Sequence, residues 1–405
     1  MDVEKLVRFD GTYRICPPQD TLHAIQPALA KAGITRLADV TMLDSVGFPT
    51  WQAIRPRAVT LSVSQGKGLT HEEAQVSAAM ESLERAAWEQ YQPPLVWNSR
   101  KLLGPENSAD PTAFADVVLG GGSPDAILPW CEARSLFSGR TVLVLADLVC
   151  VRRCGTHRKV PRWAYASSNG LAAGNSFVEA SLHALFELIE RDAQMCAESV
   201  LEQDATPRPR LDIRRCCSQL LPELAARIDS CGLSVEVFSN ENPYGVPCYS
   251  AYLIDEQGPF PTNVGCGAHL DPNVAVSRAI TEAAQGRITM ISASREDNFR
   301  VDYPFLDEVG GVLLERAIYE RSLTPTPTRM PDVPPIPRTV QDALDAVVER
   351  LRQAGADDIL SIDMTDPETR IPAVKLLGPG LCGYHRAPEG RIEAHRAWLG
   401  ERGQS

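Results

Sequence analysis

Residues 176–191 read SFVEASLHALFELIER, and residues 70–85 (THEEAQVSAAMESLER) and 271–287 (DPNVAVSRAITEAAQGR) are built to the same plan. Each follows a glycine-containing segment and opens on a helix-capping residue. Thr70 and Ser176 have Glu73 and Glu179 three positions on, as a capping box requires, and Asp271 precedes Pro272 at the first helical position. At one fixed distance from each cap comes a glutamate: Glu81, Glu187 or Glu282. A second polar residue follows three positions later (Glu84, Glu190, Gln285), and an arginine comes just after (Arg85, Arg191, Arg287). A single copy reads as a solvated, ion-paired helix face. Such a face has no reason to hold its register three times, so the set predicts three helices lining one polar pocket.

Outward from the repeats, strand and turn signals alternate with helical ones. Ala58–Ser64 (AVTLSVS) alternates as a strand does and delivers the chain to a glycine turn, Gln65-Gly66-Lys67-Gly68, before the first repeat helix. Free backbone N–H groups and the helix dipole favour an anion at such a turn, which makes Lys67 a phosphate candidate. Residues 162–174 (RWAYASSNGLAAG) and 263–267 (NVGCG) approach the second and third helices in the same way. A polar arm ends near Pro17, Thr21–Ala32 reads as a helix stopped by Gly33, and residues 34–43 as a strand. Residues 107–125, with Gly120–Gly122, read as an exposed loop, and residues 130–151 as a hairpin turning at Ser138-Gly139-Arg140. Residues 214–231 read as a helix, and residues 234–238 and 249–254 as strands. The proline-rich residues 324–337 form an extended connector. Beyond it come a helix (340–354) and two strands (359–364 and 373–377), which either pair with the main sheet or form an accessory lobe. The expected class is α/β in the broad, α+β sense: mixed sheets with packed helices and internally repeated strand–Gly turn–helix units.

Composition narrows the function classes. A net charge of −12 disfavours non-specific binding to nucleic acid or to an anionic membrane. No apolar run is long enough to span a bilayer, and the N-terminus lacks the build of a signal peptide, so the expected location is cytoplasmic. The 11 cysteines lack paired CxxC units, which points to reduced and mostly buried thiols; Cys150 and Cys154 are the residual candidates for redox or metal chemistry.

The repeat residues suggest chemistry of their own. Glu179, His183, Glu187 and Glu190 share one helical stripe flanked by Leu182, Phe186 and Ile189, so the carboxylates lie at the edge of a core. Converging carboxylates are costly unless cations compensate them, and oxygen-only ligands favour a hard cation such as Mg²⁺ in company with phosphates. His183 either faces the ligand or pairs with Glu179 or Glu187. Asn175 either closes a turn or contacts the ligand, and His71 and His269 read as capping or surface residues.

Three sets of motifs then converge on one family. They are QGKG with SxxxExxER (Ser77, Glu81, Glu84, Arg85), SSNGLAAGNS with ExxxHxxxELIERD (Glu179 to Asp192), and GxGxHLD with RAxTEAAQxR (Arg278 to Arg287). Together with residues 21–49 and 361–381, which extend the likeness over most of the chain, they resemble the YcaO family. The resemblance implies a YcaO-like fold in which residues 1–323 hold the ATP-binding catalytic region, 324–339 the connector, and 340–405 a C-terminal α/β segment completing the domain.

It further implies ATP-dependent activation of a peptide backbone amide. A nucleophile adds to the carbonyl and ATP phosphorylates the oxyanion. By motif, Glu81, Glu84, Glu187, Glu190 and Glu282 would hold Mg²⁺. Lys67, Ser77, Asn175, Glu179, His183, Arg191, Gln285 and Arg287 would surround the nucleotide, with Gln285 touching nucleotide more than metal. No protein nucleophile is assigned. Azoline-forming members often end in a Pro-x-Pro-x-Pro tail, whereas this chain ends RAWLGERGQS, and no leader-binding domain is fused at its N-terminus. Both features tilt the reading to thioamide formation with a separate TfuA-like partner. An azoline-forming cyclodehydratase with a leader-binding partner is the runner-up, and a homodimer is compatible with either. Outside this class stand a Mg²⁺-dependent phosphoester hydrolase and a non-catalytic nucleotide-binding scaffold.

Overall fold

The repeats organise the molecule through their glycines. A computed structural model describes residues 4–9, 11–115, 125–151, 162–204, 206–256, 258, 260–298, 321, 323, 326–383, 388 and 390–402. A hairpin of β1 (Val7–Phe9) and β2 (Thr12–Arg14) precedes helix α1 (Pro18–Lys31). Strands β3 (Arg36–Asp39), β4 (Thr50–Ile54) and β5 (Val63–Lys67) form one sheet in that order, over which α2 (His71–Gln90) folds back. Strands β6 (Val96–Asn98), β7 (Leu128–Ser135), β8 (Thr141–Leu145) and β9 (Leu171–Ala173) belong to a second sheet, together with two strands from the C-terminal part, Leu360–Asp363 and Ala373–Leu377. A short α3 (Arg100–Leu103) follows β6, and the long α4 (Phe177–Asp204) follows β9. After α5 (Leu220–Ser230), strands β10 (Ser234–Ser239), β11 (Cys248–Ile254) and β12 (Thr262–Ala268) form a third sheet in sequence order, followed by α6 (Pro272–Ser292). The fold is α+β, and every pairing between these strands is antiparallel.

Each repeat helix lies directly on its strand because both surfaces are small. A Cβ at Gly66 would collide with the Ala74 carbonyl and Ala78 amide of α2, and one at Gly265 with Ala279 and Ala283 of α6. Gly267 meets Ala275, and Gly174 meets Ala180 at the start of α4. Overfilling such contacts costs about 1–3 kcal/mol, so glycine on the strand and alanine on the helix fix the close approach. The first of these glycines corrects the sequence reading. The strand expected at residues 58–64 runs instead from Val63 to Lys67, so Gln65-Gly66-Lys67 is strand rather than turn.

Capping follows the sequence signal with one variation. Glu73 N donates to Thr70 Oγ1 at 3.2 Å and the Glu73 carboxylate accepts from Thr70 N, a complete capping box. Asp271 accepts from Asn273 N at 2.9 Å, with Pro272 opening the helix. At the second helix Ser176 accepts from Glu179 N at 3.2 Å, but the Glu179 carboxylate reaches one residue further back, to Asn175 N at 2.8 Å and Nδ2 at 2.9 Å. Asn175 therefore closes the turn.

The C-terminal strands settle their open placement by completing the second sheet. Leu360 and Ser361 pair with β7, while Ala373–Lys375 pair with β9, which makes β9 an edge. Helix Val340–Gln353 shares a core with α4, where Val347 and Leu351 join Leu185 and Ile189. The connector is described from residue 326, with Thr328 bridged to Leu211 and Met330 buried. The 130–151 hairpin forms with Gly139 at φ +70° in its turn. Strand β4, the hairpin in the polar arm, and helix Arg391–Arg402 have no counterpart in the sequence reading. Gly120–Gly122 and Cys154 lie outside the described residues. The described cysteines are all free, and Cys150 is buried.

Candidate nucleotide and metal site

The three repeat strands share a topological position: β5, β9 and β12 each lie at an edge of their sheet. At each edge a backbone N–H reaches the first glutamate of the following helix. Gln65 N donates to Glu81 Oε2 at 3.1 Å, Gly170 N to Glu187 Oε1 at 3.0 Å, and Cys266 N to Glu282. The register seen in the sequence thus holds each carboxylate at an open sheet edge, and all three edges face one cavity of about 1100 Å³.

The cation beside each first glutamate follows from helical spacing. Arg85 pairs with Glu81 at 3.0 Å and Arg191 with Glu187 at 3.1 Å, both four residues on and hence on the same face. The third helix has Gly286 at that position, and Lys67 from β5 supplies the charge by pairing with Glu282. Arg287 is one residue further on, about 100° around the helix, and points away from the cavity. It is buried against Asp44 (3.0 Å) and Asp255 (2.9 Å) and is absent from the cavity wall. In this structure Arg287 thus forms a buried ion pair and does not join the other nucleotide candidates at the cavity wall.

Lys67, Ser77, Asn175, Glu179, His183, Arg191 and Gln285 line the cavity, as do Glu81, Glu84, Glu187, Glu190 and Glu282. Burial, then the charges of Glu187 and Glu81, holds the Glu84 carboxyl well above the usual range, although it accepts the Ala173 N–H. Burial and Glu282 push Glu190 up to about 7. Burial alone would raise Glu282 too, but the Lys67 ammonium overcomes it and holds that carboxyl low. His183 is kept neutral by burial and then by Arg278, Arg14 and Lys67, so it makes no ion pair with Glu179 or Glu187. Glu179 instead accepts from Ile15 N at 3.1 Å, tying the N-terminal hairpin to the site. His269 is packed against Tyr13 and Phe186 and accepts from Asp271 N at 2.9 Å, a capping contact inside the fold.

Two cavity cations escape the sequence reading. Arg278 precedes Glu282 by four residues, a spacing that could have revealed it. Arg14 arrives from the hairpin and carries no local signal. Neither guanidinium makes an ion pair among the described residues, and burial and Arg14 together lower the Arg278 pKa.

The donor set fits a hard divalent cation with a polyphosphate. Burial and crowding raise the pKa of two carboxyls, Glu84 and Glu190, a cost that a cation would relieve, and among the described residues the buried Gln65 Nε2 on the cavity wall has no hydrogen-bond partner. Among the described residues, no three of these glutamates bring ligand oxygens within 4.8 Å of one another, so bridging needs a ligand that supplies further oxygens. Asp192, Cys196 and Cys382 do form such a trio. Its carboxylate is already taken by Cys382 N (2.8 Å), Tyr244 OH (2.9 Å) and Arg391, which occupies the place of a cation.

Fold and site thus define an ATP- and Mg²⁺-type cleft built from three edge-strand repeats, and the comparisons place it. A family model described as YcaO cyclodehydratase, ATP- and Mg²⁺-binding, matches residues 65–382. The chain belongs to the YcaO family, and ATP and Mg²⁺ are its cofactors. An uncharacterized protein of Mycobacterium tuberculosis is 38% identical over 93% of this chain and 84% of its own length. A protein encoded in the tfuA 3′ region of Rhizobium leguminosarum bv. trifolii is 31% identical over 91% of this chain and 88% of its own. Among solved structures, YcaO from Methanopyrus kandleri bound with AMPPCP and Mg²⁺ superposes with a TM-score of 0.74 at 24% identity, covering 95% of this chain and 98% of that one. A heterocyclase in complex with substrate and cofactor gives 0.82 at 21% identity over 99% of this chain, which spans 57% of the heterocyclase. No helix among the described residues is long and apolar enough to cross a membrane.

Proposed function

We propose that the protein activates a peptide backbone amide by ATP- and Mg²⁺-dependent phosphorylation of its oxygen, and that the product is a thioamide in a ribosomally made peptide or protein. The observation that carries this reading is the meeting of five carboxylates from three helices with Lys67, Arg14 and Arg278 in one cavity. Bound there, ATP supplies the phosphoryl group and Mg²⁺ neutralises its oxygens. Glu81, Glu84, Glu187, Glu190 and Glu282 would hold the metal. Lys67, Ser77, Asn175, Glu179, His183, Arg191 and Gln285 would surround the nucleotide, with Arg14 and Arg278 added as partners for its phosphates. Phosphoryl transfer needs positioning and charge neutralisation rather than a protein nucleophile, and the sheet edges that hold Glu81, Glu187 and Glu282 supply the positioning. On the substrate, sulfide adds to the amide carbon and the oxyanion takes the phosphoryl group. Phosphate then leaves with the former amide oxygen as the S–H proton departs and the C=S bond forms.

The Rhizobium relative, encoded in a tfuA 3′ region, supports a thioamide product and a TfuA-like partner. Likeness to a heterocyclase favours the second reading, in which a Cys, Ser or Thr side chain of the peptide is the nucleophile and a leader-binding protein the partner. Purified protein with a candidate partner, ATP, Mg²⁺, sulfide and peptides encoded beside its gene separates the two. Exchange of O for S adds about 16 Da and cyclodehydration removes about 18 Da, by mass balance of carbonyl activation. Turnover of small phosphoesters without any peptide change would establish the hydrolase instead, and nucleotide binding with neither reaction would leave a scaffold.

A further inference from the structure

Resting on that reading, we propose that the acceptor peptide binds as an extended strand along the free edge of β12, pairing its backbone with Val264 beside Gly286. The cavity runs along the repeat helices. Of the residues assigned to the nucleotide, Ser77, His183 and Arg278 lie N-terminal to the first glutamates and Arg191 and Gln285 C-terminal to them, while Gly286, Thr289 and Met290 follow Gln285 along the third helix. Its volume, about 1100 Å³, exceeds the roughly 300–1,000 Å³ of a site for one small ligand. The stretch lined by Gly286, Thr289 and Met290, none of them assigned to the nucleotide or the metal, is where a second reactant fits.

The wall of that stretch is a strand edge. Cys266 N–H points away from β11, off the sheet, to Glu282. In an antiparallel strand the N–H and C=O of one residue face the same side and alternate along the chain. Val264, two residues earlier, therefore turns both its backbone groups to the same open edge. No described strand pairs there, and Val264 is 40% exposed. A peptide strand paired with Val264 carries its next amide level with Cys266 and Glu282, where the phosphoryl group is to be delivered.

Gly286 marks the same place from the helix side. Four residues after the first glutamate, the other two repeats place Arg85 and Arg191, each folded onto its glutamate. At Gly286 the nearest described atom to an added Cβ is Val264 O, at 3.9 Å. Glycine inside a helix costs about 1 kcal/mol relative to alanine, and no described neighbour demands it. The threefold pattern is broken where a ligand backbone needs room.

The test uses the full chain with AMPPCP, Mg²⁺ and synthetic peptides tiling the reading frames beside its gene. Gly286→Leu fills the open space with a good helix former, so its melting temperature should equal or exceed that of the wild type. It should hold AMPPCP within about twofold of the wild type and lose peptide binding and turnover by about tenfold or more. N-methylation of the bound peptide should cost about tenfold at alternate amides and little at those between, the signature of strand pairing. Unchanged handling of the peptide by Gly286→Leu, or an N-methyl scan without alternation, overturns the proposal while the functional reading stands. A wild type that neither holds AMPPCP nor alters any peptide overturns both.

Discussion

Lys67 ends the strand of the first repeat, yet its ammonium pairs with Glu282 of the third. Together with the hydrogen bond that Thr289 donates to Gln65 Oε1, this contact joins the first and third repeats across the cavity. In Lys67→Met, Glu282 loses the partner that holds its carboxyl low, and the cavity loses one of its strand-borne cations. AMPPCP affinity should fall about tenfold or more, with the fold retained. Calorimetric titration with Mg²⁺ present, alongside a melting curve, checks both.

Crowding of the carboxylates predicts a trade between stability and metal binding. Glu190, raised to about 7 by burial and Glu282, binds its proton more tightly folded than unfolded. Its contribution favours the fold below the ordinary carboxylate pKa and is lost as pH climbs through about 7. The metal-free protein should melt at progressively lower temperature over that window, less steeply in Glu190→Gln, while Mg²⁺ binding tightens as the competing proton leaves. Glu84→Gln at pH 8 should raise the metal-free stability by about 1 kcal/mol and abolish metal-dependent nucleotide binding. Melting curves with and without Mg²⁺ decide it.

Arg287 supplies a contrast. Its substitution by methionine leaves Asp44 and Asp255 facing each other in a buried pocket, and breaking such a pair costs about 3–5 kcal/mol. The folded fraction should still bind AMPPCP within about twofold of the wild type. Urea unfolding and titration of the same preparation separate the two effects. A specific loss of nucleotide affinity would restore the role implied by the family motif.

Away from the site, Arg55 grips Glu89 with two hydrogen bonds, at 2.6 and 2.8 Å. Burial alone would raise the Glu89 pKa, but Arg55 and Thr60 pull it down to about 2. A depressed carboxylate stabilises the fold above its unfolded pKa and loses that contribution as pH falls toward the folded value. Acid unfolding of the wild type should therefore show a loss between about pH 4.5 and 2 that Glu89→Gln lacks, the variant being already less stable at pH 7. Denaturant titrations at three pH values measure it.

What the sequence made legible was periodic, and what it hid was tertiary. Caps and the shared register announced that Glu81, Glu187 and Glu282 belong together, because helix geometry turns spacing into direction. The same rule, applied strictly, separates Arg85 and Arg191 at four residues from Arg287 at five. Gly66 misled because a glycine before a helix reads as a turn, whereas here it admits the helix backbone onto the strand. Arg14 was invisible, since only the folded hairpin brings it to the cavity. Asp192 looked like one more acid of the ERD motif, and its burial against Arg391 and Tyr244 depends on a C-terminal helix with no strong signal.

In the proposed reaction this cleft transfers a phosphoryl group to an amide oxygen, which then departs with phosphate. The most direct measurement places heavy oxygen in the amide of a peptide the enzyme modifies and weighs the phosphate released during turnover with ATP and Mg²⁺. One heavy oxygen should appear in each phosphate formed per modified amide. Phosphate carrying only light oxygen, with the peptide modified, would contradict it.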